Sequence, residues 1–197
     1  MKNIKQFFTY VVVGALVSAL FISCGKNPSE PGTEGNSGAD SVPNFTGVPA
    51  TDLPNGYYSG TLSCKSYNIS DSVIGITKEE IEQNITNGMP FYLKITNNKL
   101  KWEEYEESIE TMEEKEALKS ASEYGATILD IKIGEQISGK TKETIRFTIS
   151  GDTISITYIL GESVVTMTGK DIDYKYSFNA TYEGTLTKYT PTTSSGS

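Results

Sequence analysis

The residue types that could do chemistry are few and badly placed for catalysis. Histidine is absent, which removes His general bases, His-based triads and His-ligated zinc. The two cysteines are Cys24 and Cys64. A thiol becomes a nucleophile only beside a basic partner, and Cys64 alternates with Leu62 on one face of an apolar run, so it reads as a small core residue. Asp171 and Asp173 could do acid–base work or hold Ca²⁺, but they fall in a turn, where Asp is favoured for backbone reasons. Nine glutamates crowd residues 103–123, with Lys115 and Lys119 among them. They could draw a cation or a partner, but a solvated helix face explains them more simply. No enzyme constellation, cofactor site or metal set emerges.

The aromatic residues are the stronger candidates. In residues 173–188 the even positions read Tyr174, Tyr176, Phe178, Ala180, Tyr182, Gly184 and Leu186, and the odd positions are polar. A period of two makes this a strand with one apolar face. Ala180 and Gly184 give it room to bend around a core. Tyr58, Trp102 and Tyr158 hold equivalent positions elsewhere. If the strands curl together, Tyr58, Trp102, Tyr158, Tyr174, Tyr176, Phe178 and Tyr182 converge as a ligand-binding interior. Buried Tyr hydroxyls need partners. The interior is therefore either a partly polar cavity for one small amphipathic ligand or a filled core with Tyr tips at the mouths.

The elements that must position these residues follow the same alternation. Strands are expected at Gly56–Ile69, 91–95, 99–105, 127–133, 144–149, 153–160, 163–168 and 173–188. Asn97-Asn98 makes a tight hairpin, because Asn tolerates positive φ. A short helix is capped by Thr77 with Glu80 three residues on and stopped by Gly88 and Pro90. A second helix is expected over 112–124, outside the sheet, with 134–142 as a polar loop. The fold class is mainly β: an antiparallel up-and-down barrel of about eight strands with one or two short helical insertions, a β-sandwich being the competitor. A membrane-spanning barrel is set aside because most strands look shorter than the roughly 9–11 residues that a tilted spanning strand needs.

The N-terminus carries an address. Lys2 and Lys5 precede an apolar stretch over 7–22, followed by Phe21-Ile22-Ser23-Cys24-Gly25. This is a targeting segment that resembles a bacterial lipoprotein signal peptide with a relaxed lipobox. The resemblance implies cleavage after Ser23 and diacylglyceryl transfer to Cys24, with Gly25 leaning towards the outer membrane. Residues 24–54, rich in Pro, Gly and Ser, read as a flexible stalk, 55–190 as the domain and 191–197 as a disordered tail. The net charge of −8 argues against nucleic acid.

Over 55–189 the layout resembles the lipocalin-like barrels of bacterial lipoproteins. In that family a Gly-x-Trp on the first strand lies under an Arg near the last; this chain has Lys there, its only Arg being Arg146 on an earlier strand. Here Gly56-Tyr57-Tyr58 puts Tyr58 in the Trp place, with Lys175 or Lys188 on the late strand. The resemblance implies a membrane-tethered binder of a small apolar or amphipathic molecule. The alternative is an adhesin-type envelope protein with a filled core, working through its exposed loops and the acidic 103–123 segment.

Overall fold

A computed structural model describes residues 38–69, 78–133, 137–167 and 176–191. The expected signal segment, Cys24, Thr77, Asp171, Asp173, Tyr174 and Lys175 lie outside the described residues.

Ten strands form one antiparallel sheet: β1 (Val48–Pro49), β2 (Gly56–Ile69), β3 (Met89–Thr96), β4 (Lys99–Glu103), β5 (Lys115–Glu116), β6 (Leu118–Ser120), β7 (Glu123–Ile133), β8 (Ile137–Ser150), β9 (Thr153–Met167) and β10 (Tyr176–Tyr189). The order across the sheet is β1-β6-β7-β8-β9-β10-β2-β3-β4-β5. Only Ala117 separates β5 from β6, so the two ends of this order meet in one interrupted strand. Its first half pairs with β4 and its second with β7. The sheet thus curls into a nearly closed barrel of eight staves, with β5 and β6 counted together and β1 added outside.

Alternation builds the inside. Tyr58, Leu62, Leu93, Ile95, Leu100, Ile145, Phe147, Ile154, Ile156 and Leu186 are all buried. Their outward neighbours on β2, β8, β9 and β10 are mostly Ser, Thr and charged residues. On β2 the parity changes partway. Tyr182 pairs with Cys64 and Thr181 with Ser66, which leaves Lys65 as the extra residue of a bulge. Below it Leu62 and Cys64 point inward; above it Tyr67 and Ile69 do. Asn97 and Asn98 both have positive φ, 50° and 60°, and carry the β3–β4 hairpin as expected.

Three expectations change. The helix over 112–124 does not form: a 3₁₀ turn at Glu106–Thr111 is followed by β5, β6 and the start of β7. Ala117 lies in the barrel wall there, with its N–H donating to the Asn98 carbonyl (3.0 Å), so barrel closure outweighs local helix preference. The strands expected at 153–160 and 163–168 are one strand, β9, which runs straight through Gly161. The polar loop over 134–142 gives way to strand from Ile137 on. Five strands now reach 11 to 15 residues, so strand length no longer argues against a membrane-spanning barrel. The faces of β8, β9 and β10 do: apolar inside, they carry Arg146, Thr148, Ser155, Thr157 and Glu183 outside, the reverse of a lipid-facing wall.

The chain before β2 is not loose stalk up to residue 54. From Gly38 to Gly47 it crosses the outer face of β10, β9, β8 and β7 as a strap. Ala39 N–H donates to Ser163 Oγ (3.1 Å) and Asn179 Nδ2 to Ser41 Oγ (2.6 Å). Thr144 Oγ1 donates to the Pro43 carbonyl (2.7 Å), and Phe45 N–H to Thr127 Oγ1 (2.8 Å). Its own Ala39 and Val42 are buried against the barrel wall. A Cβ on Gly161 would stand 2.5 Å from Val42 Cγ2, which is why β9 carries glycine there. Beyond the strap, β1 pairs with β6, and Ala50 and Leu53 join the inner core. Truncating Val42 to Ala should therefore cost about 2 kcal/mol of stability, read as a lowered urea midpoint. A midpoint unchanged within error would mean that the strap is not part of the cooperative unit.

Candidate functional site

The barrel has two unlike halves. Its lower half, around Tyr58, Leu93, Ile154 and Leu186, is solid hydrocarbon and aromatic packing. Its upper half, where β4 and β7 end and β8 begins, holds carboxylates turned inward.

Glu143 lies on the inward side of β8, one step above Ile145 and Phe147. Trp102, on the inward side of β4, donates its indole N–H to Glu143 Oε2 at 2.7 Å. The Tyr158 hydroxyl on β9 donates to the same carboxylate. The Tyr158 ring packs against Phe91, centroids 5.1 Å apart, and against Tyr182, 6.1 Å apart. Glu104 continues the inward row of Leu100 and Trp102 just past β4, its own N–H capped by Glu103 Oε1 at 2.7 Å. Partly buried Tyr67, Ile128, Leu160 and Phe178 complete the wall of the core.

Burial sets the electrostatics. Loss of water, then the charges of Glu103 and Glu143, push the Glu104 carboxyl up to about 7. Burial also raises Glu143. The hydrogen bonds from Trp102 and Tyr158 pull the other way, and the charges of Glu103 and Asp130 push it higher again. Tyr158 is driven well above its usual range by burial, then by Glu143 and Glu104. The arrangement can accept hydrogen bonds from N–H or O–H donors, or neutralise a cation, inside an aromatic wall. It repels anions.

Of the residues expected to converge, the structure brings Trp102, Tyr158 and Tyr182 together, with Phe178 half-buried at the same core. It places Tyr58 apart, at the lower end near Asp152. There Lys188 is its cross-strand partner, and the Lys188 stem lies 3.1 Å from where a Cβ on Gly56 would sit. Tyr174 lies outside the described residues, as does the side chain of Tyr176, whose backbone pairs with Val164. Cys64 is buried. The nine-glutamate run is partly neutralised: Glu110 binds Lys94 (2.6 Å), Glu114 binds Lys99 (3.3 Å) and Glu113 binds Lys115 (2.9 Å). Sequence reading missed Glu104 and Glu143. Glu104 shares parity with Trp102, and Glu143 with Ile145, so alternation carried the signal once the strands were extended far enough. A trough of about 420 Å³ on the outer face, between Lys65, Glu123, Arg146, Thr157 and Glu183, mixes charges of both signs and is a solvated surface.

Fold and site together define a nearly closed up-and-down β-barrel with an acid-bearing upper interior. No family model, curated protein or solved structure matches the chain.

Two outcomes follow. An unfolded glutamate titrates near pH 4.3, so between there and about pH 7 the native state holds protons on Glu104 that the unfolded chain has lost. Stability should fall as pH rises through that window. In Glu104→Gln the fall should shrink, so that the variant gains about 1–3 kcal/mol on the parent between pH 4 and pH 8 in urea titrations. Removing the indole donor with Trp102→Phe should cost about 1–3 kcal/mol and clearly less in a Glu143→Leu background, a coupling that a double-mutant cycle reads directly.

Proposed function

We propose that the mature protein is a bacterial lipoprotein, anchored through Cys24 to the outer membrane, whose barrel binds one small amphipathic molecule at its upper end. One observation carries the binding half of this reading: Glu143 faces inward, held by Trp102 and Tyr158, with Glu104 beside it. A barrel that needed only a filled core gains nothing from turning two carboxyls inward, because burying them opposes folding. As a binding surface the cluster makes sense. Aromatic rings take an apolar body, and the carboxyls take an N–H, an O–H or a cationic end. Fatty acids fit poorly, because their carboxylate would meet Glu104 and Glu143. The place of Lys188 beside Gly56 and Tyr58 supports the lipocalin-like reading of the lower end, and the Lys2–Gly25 pattern supports the anchor.

The adhesin-type alternative draws less support than the sequence offered. The acidic segment is built into the barrel wall, and several of its carboxylates already have lysine partners.

The test pairs native mass spectrometry of purified protein with dye displacement by hydrophobic amines and by fatty acids. Amines should compete, fatty acids should not, and Glu143→Gln should weaken amine competition about ten-fold, the loss of one charge-assisted contact. No bound species and no competition from either class would end the carrier reading. Palmitate labelling that persists in Cys24→Ala would end the anchor.

A further inference from the structure

The outer face of β7 departs from the polar pattern of its neighbours. Leu129, Ile131 and Ile133 are 54%, 52% and 90% exposed, three aliphatic side chains in a row beyond the edge of the strap. Their cross-strand partners on β8 are Lys142, Lys140 and Ser138. A line of hydrocarbon therefore runs beside a pair of ammonium groups. That combination suits the boundary of a phospholipid layer: aliphatic groups enter below the headgroups while lysine stems lie along them and keep their charges at the phosphates.

The path of the chain says which partner covers this face. The strap enters the fold at Gly38, and its Asp40 carboxylate pairs with Lys140 (3.3 Å), so the chain arrives against a lysine of this same patch. Cys24 lies fourteen residues before Gly38. Fourteen residues reach at most about 50 Å. The patch is thus kept close to any bilayer that holds Cys24. The formal charge of −8 argues against general attraction to anionic lipid heads, which confines contact to this lysine-flanked face.

We propose that the β7–β8 face rests on the phospholipid surface beside the anchor, with Leu129, Ile131 and Ile133 at the headgroup–acyl boundary and Lys140 and Lys142 at the phosphates. The tether argument rests on the anchor reading above; the patch itself does not.

The experiment uses the acylated mature chain in a Cys64→Ala background, reconstituted into phosphatidylethanolamine–phosphatidylglycerol vesicles. An environment-sensitive NBD label is placed on Ile131→Cys or, as a control on the far end of the barrel, on Thr187→Cys. NBD at position 131 should shift to the blue and brighten about two-fold or more, as for a group entering the interface, while NBD at 187 stays solvent-like. Equal, solvent-like emission at both positions overturns the proposal. So does a blue shift at 131 that appears without vesicles and grows with protein concentration, which would report a second copy on the patch. In the unacylated Cys24→Ala chain, changing Leu129, Ile131 and Ile133 together to Ser should lower vesicle co-sedimentation about five-fold. Unchanged co-sedimentation also overturns it. If palmitate labelling shows no acylation at Cys24 but this loss is still seen, the anchor reading alone fails. If acylation is present and position 131 stays wet, the docking proposal alone fails.

Discussion

Every other feature of this molecule depends on how the sheet finds an end. A curled antiparallel sheet leaves two rows of unpaired N–H and C=O groups unless something joins them. Here the six residues 115–120 do so, with β4 on one side of the first half and β7 on the opposite side of the second. At the crossover Ala117 is almost fully buried, and its carbonyl accepts the Ala50 N–H at 2.8 Å. A larger side chain at that crowded joint would have to displace the inner core. Once the joint is made, the two faces of each strand become an inside and an outside. Trp102 then stands across the interior from Glu143, 41 residues away in the chain.

The same closure explains why the two halves of the interior differ. In the lower half, turns and the incoming Ala50–Leu53 segment seal the barrel, and side chains fill it. In the upper half, the staves carry Glu104 and Glu143 among aromatic rings. Two carboxyls placed there oppose folding, and the hydrogen bonds from Trp102 and Tyr158 offset only part of that opposition. The surrounding apolar wall is extensive enough to tolerate the penalty.

Much of this was legible in the alternation of residue types, because a half-buried strand writes its own orientation with a period of two. β2 up to its bulge, the burial of Trp102 and the inward side of Tyr182 and Leu186 follow from that rule alone, and the Asn97-Asn98 hairpin from the tolerance of Asn for positive φ. What escaped it was non-local. Residues 112–124 are rich in helix-forming Glu, Lys and Ala, and only the need to join β4 to β7 makes part of them strand. Gly161 looks like a break until the strap lies across it. The same alternation puts Leu129, Ile131 and Ile133 together but cannot say which side faces out; the pairing with β8 decides that. Glu143 was hidden because the lysine-rich stretch before it resembles a loop.

The pairing of β10 with β2 has a consequence for how the chain comes into being. β2 is the first long strand to be synthesised and β10 the last, and they lie side by side along most of their lengths. Until residues 176–189 emerge, one flank of β2 has no neighbour, and the cylinder is an open gutter with wet hydrocarbon along its floor. Ring formation is thus tied to the arrival of residues 176–189 and must join positions more than a hundred residues apart, a slow step by the entropy of loop closure. Until then the nascent polypeptide is left pliable.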